Sequence, residues 1–244
     1  MSKLTLTILT SLIIGALQAQ DADQIIRDVD RNLSADSQIA ESNMTVHGRR
    51  SSRTMTSISY TVGTEKSFTE YLSPAREKGT KMLKLNDEMW LYSPSTDRTI
   101  MISGHMMRQS VMGSDLSYED MMEDRKLSDI YTPSLVGEET IEGRTCYVLE
   151  LRSKVDDVAY DSQKLWVDAE RYVPLRQELY AKSGQLLKEV TMSDIQRISN
   201  RWYPTKMIYK DVLKDGKGTE WEVTKIEFDK PIPEHVFSKA SLKQ

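Results

Sequence analysis

Hydrophobic and polar positions alternate with two different periods along this chain. Between Asp23 and Leu33, the apolar residues Ile25, Ile26, Val29 and Leu33 recur at helical spacing, with Arg27, Asp28, Asp30 and Arg31 opposite. This spacing predicts an amphipathic helix that covers an apolar surface. From Thr54 the period falls to two: Thr54, Thr56, Ile58, Tyr60 and Val62 alternate with Met55, Ser57, Ser59 and Thr61, as in a sheet with one wetter face. Short strands are then expected at 67–72, 80–85, 88–92 and 98–102, separated by Gly, Pro, Asn or Asp. The second half repeats the pattern at 140–141, 145–151, 163–168, 174–180, 186–192, 202–209 and 220–228. Its turns are marked by Glu142-Gly143, Ser183-Gly184, Ser199-Asn200 and Asp215-Gly216. About ten locally joined strands require a strongly curved sheet, because a flat one would expose long edges. The expected fold is therefore mainly β, an unclosed antiparallel β-barrel with helices forming a lid over a hydrophobic cavity.

The interruption between the two halves carries the candidate site. Six of the thirteen methionines, Met101, Met106, Met107, Met112, Met121 and Met122, fall in this stretch. It also holds Gly104, Gly113, Ser110 and Ser114, and shows no helical period before Ser117. Ser117 is expected to N-cap a short helix whose first turn carries Glu119 and Asp120. Methionine is unbranched and polarisable, so a local excess suits a surface that accepts apolar ligands of variable shape. The plainer reading makes these residues ordinary core. Trp90-Leu91-Tyr92 ends one strand and Trp202-Tyr203 begins another, where amphipathic rings could line a cavity rim or close the core. The candidate apolar-ligand set is Trp90, Tyr92, Met101, Met106, Met107, Met112, Leu116, Tyr118, Met121 and Met122.

Composition narrows the class. Lys3 followed by an apolar run from Leu4 to Leu17 predicts a secretory signal peptide over residues 1–19, too short for a membrane span, leaving one domain over 20–244. The single cysteine, Cys146, offers no acylation site near that cleavage point and no intrachain disulfide, which fits a soluble periplasmic protein without a lipid anchor. A net charge of −4 argues against nucleic acid as a partner. The histidines, His47, His105 and His235, lie far apart with no metal-ligand spacing, and the familiar nucleotide and acyl-transfer motifs are absent. No catalytic residue, metal or cofactor is therefore expected. Glu119, Asp120, Glu123 and Asp124 read as a solvated helix flank, and Asp156, Asp157 and Asp161 as a polar loop lacking a calcium-loop pattern. A lipid carrier, an envelope sensor or adaptor, and an unfamiliar enzyme all stay open at this point.

Several segments together resemble the outer-membrane lipoprotein-sorting family, the superfamily of the periplasmic carrier LolA and its receptor LolB, in a longer branch. They are Trp90-Leu91-Tyr92-Ser93-Pro94, Gly113-Ser114-Asp115-Leu116-Ser117-Tyr118-Glu119-Asp120 and Gly143-Arg144-Thr145-Cys146-Tyr147-Val148-Leu149-Glu150-Leu151. Leu165-Trp166-Val167-Asp168, Pro174-Leu175-Arg176 and Trp202-Tyr203-Pro204 complete the series. The resemblance implies a half-barrel with a helical lid, whose cavity holds the acyl chains of a lipoprotein or lipid on the way to the outer membrane. It also implies an inner-membrane donor transporter, an outer-membrane acceptor and transient membrane contact.

Overall fold

The computed structural model describes residues 21–48 and 51–243. The expected signal peptide lies outside the described residues. Helix α1 (Ala22–Leu33) precedes strands β1 (Ser37–His47), β2 (Ser52–Val62), β3 (Lys66–Ser73), β4 (Lys81–Leu85), β5 (Glu88–Ser93) and β6 (Arg98–Ile102). Two 3-10 turns (Gly104–Arg108 and Val111–Gly113) and the short helices α2 (Tyr118–Met122) and α3 (Leu127–Ile130) follow. Strands β7 (Tyr131–Ile141), β8 (Arg144–Ser153), β9 (Ser162–Asp168), β10 (Pro174–Tyr180), β11 (Leu186–Ile198), β12 (Arg201–Asp211) and β13 (Thr219–Phe228) complete the sheet. Two C-terminal 3-10 turns, Glu234–Phe237 and Lys239–Lys243, end the described chain.

All 13 strands form one antiparallel sheet in the order β6-β5-β4-β3-β2-β1-β13-β12-β11-β10-β9-β8-β7. Its two edges, β6 and β7, are consecutive strands, so the chain between them spans the open seam. The fold class is the expected one, with more strands than the sequence pattern suggests. Strand β1 is not apparent in the sequence pattern because Glu41, Ser42 and Asn43 interrupt its apolar alternation, although Ser42 is buried. Strand β7 extends well beyond the expected 140–141, as an exposed edge strand with little hydrophobic patterning and a register shift between Leu135 and Gly137.

Directly opposed residues in an antiparallel sheet share a face. The row Leu149, Leu165, Gln177, Val190, Tyr209, Thr219, Val46, Arg53 therefore defines an inner face across eight strands. Helix α1 covers one half of that face, burying Ile25, Ile26 and Val29 against Ile130, Leu149, Leu151, Leu165 and Val167. Asp21 caps it, its side chain accepting from the Asp23 N–H at 3.0 Å. Asp30, expected on the polar side of this helix, is buried. Its carboxylate accepts the Leu127 and Ser128 N–H groups at 2.9 and 3.0 Å and so ties α1 to the start of α3. The outer face carries a second layer where Phe68, Leu83 and Trp90 pack under Phe237 and Leu242 of the C-terminal turns.

Candidate functional site

The segment that bridges the seam covers the other half of the inner face. Met106, Met107, Met112, Met121 and Met122 pack, with Val111, Leu116 and Tyr118, against Met44, Met55, Met82 and Met89 of β1, β2, β4 and β5. Nine of the chain's thirteen methionines thus meet in one cluster. Seven of the ten candidate residues are brought together here. The other three are not: Trp90 and Tyr92 point from β5 to the outer face beneath the C-terminal turns, and Met101, paired with Trp90 in β6, is 48% exposed. Strand alternation separates them from Met89 and Leu91, which face inward from the same strand. The four sheet methionines escaped the sequence reading, although Met44 and Met55 are directly opposed in the β1–β2 ladder.

The bridging segment is built from short turns. Met112 and Gly113 both have left-handed backbone, at φ 50° and 71°, a conformation uncommon for a non-glycine residue. This turn aims the Met112 carbonyl at Arg53, whose guanidinium donates to it from β2. Ser117 caps α2 as expected, in a reciprocal box in which its Oγ accepts the Asp120 N–H at 3.2 Å and the Asp120 carboxylate accepts the Ser117 N–H at 2.6 Å.

Further polar contacts clasp the segment to the sheet. Lys84, 4% exposed on β4, donates to the Met122 carbonyl at 2.6 Å and pairs with Asp124 at 2.7 Å. Lys188 on β11 forms a buried ion pair with Asp120, and the Tyr160 hydroxyl donates to the same carboxylate at 2.6 Å. Asp115, also buried, accepts from the Thr219 hydroxyl at 2.8 Å and the Asp211 N–H at 3.0 Å. Lys214 donates to the Ser110 Oγ and the Ser114 carbonyl at 2.6 and 2.7 Å. Burial, followed by the adjoining Asp120 charge, pushes the Tyr160 hydroxyl well above its ordinary pKa, so it serves as a donor throughout the physiological range. Burial also raises Asp124, with Lys84 opposing that shift. The expected solvated acidic flank is therefore a correction: Asp120 and Asp124 face buried lysines, and Glu123 holds Arg125 at 2.6 Å.

A cavity of about 550 Å³ opens beside this segment, lined by Ser110, Leu116 and Ser117 on one side and by Tyr160, Leu187 and Leu213 on others. Its lining mixes apolar and charged groups, Arg108, Lys182, Glu119 and Asp156 among the latter. Elsewhere, Cys146 is buried on the outer face with Val148, Trp166 and Leu175, where burial raises its thiol pKa. Asp157 pairs with Arg125 at 3.1 Å, and His47 Nδ1 lies 2.9 Å from Ser52 Oγ. No helix among the described residues is long and apolar enough to cross a membrane.

A protein-family model with the description "Uncharacterized protein" matches residues 63–244. The search of curated proteins gives no match. Among solved structures, an outer membrane lipoprotein-sorting protein domain from Vibrio parahaemolyticus superposes with a TM-score of 0.78 at 26% identity, covering 91% of this chain and 98% of its own. A DUF1329 family protein from Desulfovibrio piger gives a TM-score of 0.81 at 25% identity, covering 91% and 97%. A LolA superfamily protein from Nitrosomonas europaea gives 0.76 at 25% identity, covering 90% and 98%. With the open sheet and its bridged seam, these matches establish that the chain belongs to the outer-membrane lipoprotein-sorting, LolA-like superfamily.

Proposed function

We propose that this protein is a periplasmic carrier that holds the acyl chains of a lipoprotein or lipid between the methionine-lined segment and the inner face of the sheet, and delivers them toward the outer membrane. The observation that carries this reading is the meeting of nine methionines between the bridging segment and the inner face of the sheet. Two facing methionine layers can separate and repack around an inserted chain, because the side chain is flexible and its contacts are undirected. Each methylene buried stabilises the complex by about 0.8 kcal/mol, so ten supply roughly 8 kcal/mol before ordering costs. The similarity to a lipoprotein-sorting domain supports the cargo class, and the Lys3-to-Leu17 pattern supports export. Residues 20–244 act as a single carrier domain in this reading. A donor transporter in the inner membrane and an acceptor at the outer membrane complete the route, with brief membrane contact at each end.

Native mass spectrometry of the protein purified gently from its own cells, followed by lipid extraction, tests the proposal. A co-purifying acylated species near equal stoichiometry is expected. The triple substitution Met106→Gln, Met107→Gln and Met112→Gln should weaken uptake of a fluorescent fatty-acyl probe at least tenfold, since it places polar groups where apolar contacts form. An empty protein that also ignores the probe would end the carrier reading.

A further inference from the structure

Tyr71 is 1% exposed in the methionine cluster, and its hydroxyl has no hydrogen-bond partner. Its backbone is fully engaged: its N–H donates to the Thr80 carbonyl at 2.9 Å and its carbonyl accepts from the Gly79 N–H at 2.8 Å. Only the phenol is left over. A buried hydroxyl without a partner is rare in folded proteins, because its lost hydration goes uncompensated. A second donor in the same region shares this condition: the Arg53 Nε is buried and unpartnered, although its guanidinium reaches the Met112 carbonyl and lies 3.6 Å from Glu77. Arg53, Glu77, Thr80 and Met112 border an opening of about 510 Å³ that is distinct from the cavity beside Tyr160. Burial, then the nearby Tyr118 and Glu77, pushes the Tyr71 hydroxyl well above its ordinary pKa, so it stays protonated and able to donate.

A hydrophobic cluster that holds one orphan donor, Tyr71, and shares Met112 with a polar opening bordered by a second, Arg53, matches one chemical pattern, a hydrocarbon chain that terminates in a carbonyl and then a polar group. We infer that Tyr71 is the ligand-selecting residue of this site, its hydroxyl donating to the ester or amide carbonyl of an acyl chain whose hydrocarbon lies among the methionines and whose headgroup emerges past Arg53. This inference rests on the carrier reading and adds the linkage chemistry of the ligand. A methionine surface alone accepts any hydrocarbon. A buried, unpaired phenol within it favours acyl esters and amides over ethers and alkanes, since the donor is left unpaired by a ligand without a strong acceptor.

The test compares 1-monooleoylglycerol with its ether counterpart, 1-O-oleylglycerol, by competition against a fluorescent fatty-acyl probe, in the wild-type protein and in Tyr71→Phe. The wild type is expected to bind the ester about fivefold more tightly than the ether, the worth of one hydrogen bond, and Tyr71→Phe to remove that preference with ether affinity unchanged. The ligand-free variant should melt at or above the wild-type temperature, because the substitution deletes an unsatisfied group. Ester preference that survives in Tyr71→Phe would overturn the inference while leaving the carrier reading intact, as would equal loss of both probes or a clear fall in melting temperature. Failure of the wild type to bind either probe would overturn both.

Discussion

The buried Lys188–Asp120 pair should hold one end of the methionine segment shut, and Asp120→Asn isolates its charge. The Asp120 carboxylate accepts from the Ser117 N–H and Oγ at 2.6 and 2.8 Å, from the Tyr160 hydroxyl at 2.6 Å, and from Lys188. An asparagine can keep this pattern: its oxygen faces Ser117 and Lys188, while its amide donates to Tyr160, whose hydroxyl turns to accept. What is lost is the negative charge beside a lysine that is 6% exposed. Removing one member of a buried pair costs about 3 kcal/mol, because the other charge stays desolvated. The segment has a cheaper escape than global unfolding, since lifting it returns Lys188 to water. Hydrogen exchange should therefore accelerate ~150-fold at the segment's own amides, such as Val111 bonded to Leu116 and Tyr118 bonded to Gln109. Amides of β8 and β9 beneath α1 should keep their protection. Adding Lys188→Met should restore slow exchange, because an apolar side chain of similar length removes the orphan charge. Unchanged exchange in the single variant would refute the clasp, and uniform acceleration across the sheet would show that the segment does not open as a unit.

Two further outcomes test the scaffold. Leu149, fully buried under α1, should cost about 2–5 kcal/mol when changed to Ala, read by urea denaturation, and a loss below 1 kcal/mol would mean that this half of the core can collapse around the gap. Asp168 is buried, which on its own would raise its pKa, but hydrogen bonds from Arg144 and from the Glu170 and Arg171 N–H groups hold it below the ordinary 3.8. A depressed folded-state pKa gives stability that is present above the unfolded value and lost as pH falls through the folded one. The wild type should thus lose more stability than Asp168→Asn between about pH 5 and pH 2, and parallel profiles would contradict the assignment.

What was legible in the sequence follows from how strongly each element depends on local pattern. Helix α1 shows its apolar stripe because a single face buries Ile25, Ile26 and Val29. Most of the strands declared themselves through alternation and through turns such as Glu142-Gly143 and Ser199-Asn200, which do adopt left-handed backbone. β1 stayed hidden because its buried Ser42 meets Ser57, so a polar pair occupies a core position. The Met-rich stretch stood out by composition, but which residues face it is a property of register. Met82 and Met89 lie on β4 and β5, and nothing local says that they look inward while Trp90 looks outward. The clasps were the least legible, because Asp120 meets Lys188 across 68 residues and Arg53 meets Met112 across 59.

These long-range clasps fix the position of a soft apolar layer. Methionine contacts have little directionality and would let the segment slide to many positions of similar energy. Arg53, Lys84, Lys188 and Thr219 reach it from four strands, and Lys214 from a neighbouring loop, so its position is set by polar groups at its margins rather than by shape fitting at its centre. Three of these contacts end on backbone carbonyls, of Met112, Ser114 and Met122, and therefore fix the segment without constraining the methionine side chains. In the proposed carrier, clasps that stand on different strands would let one end lift while the other remains held, so that each step breaks a local set of polar contacts rather than the whole apolar interface. Division of labour between directional edges and an undirected interior is what the proposed acyl-chain site would require: the edges would decide when it opens, and the methionines would accommodate what enters.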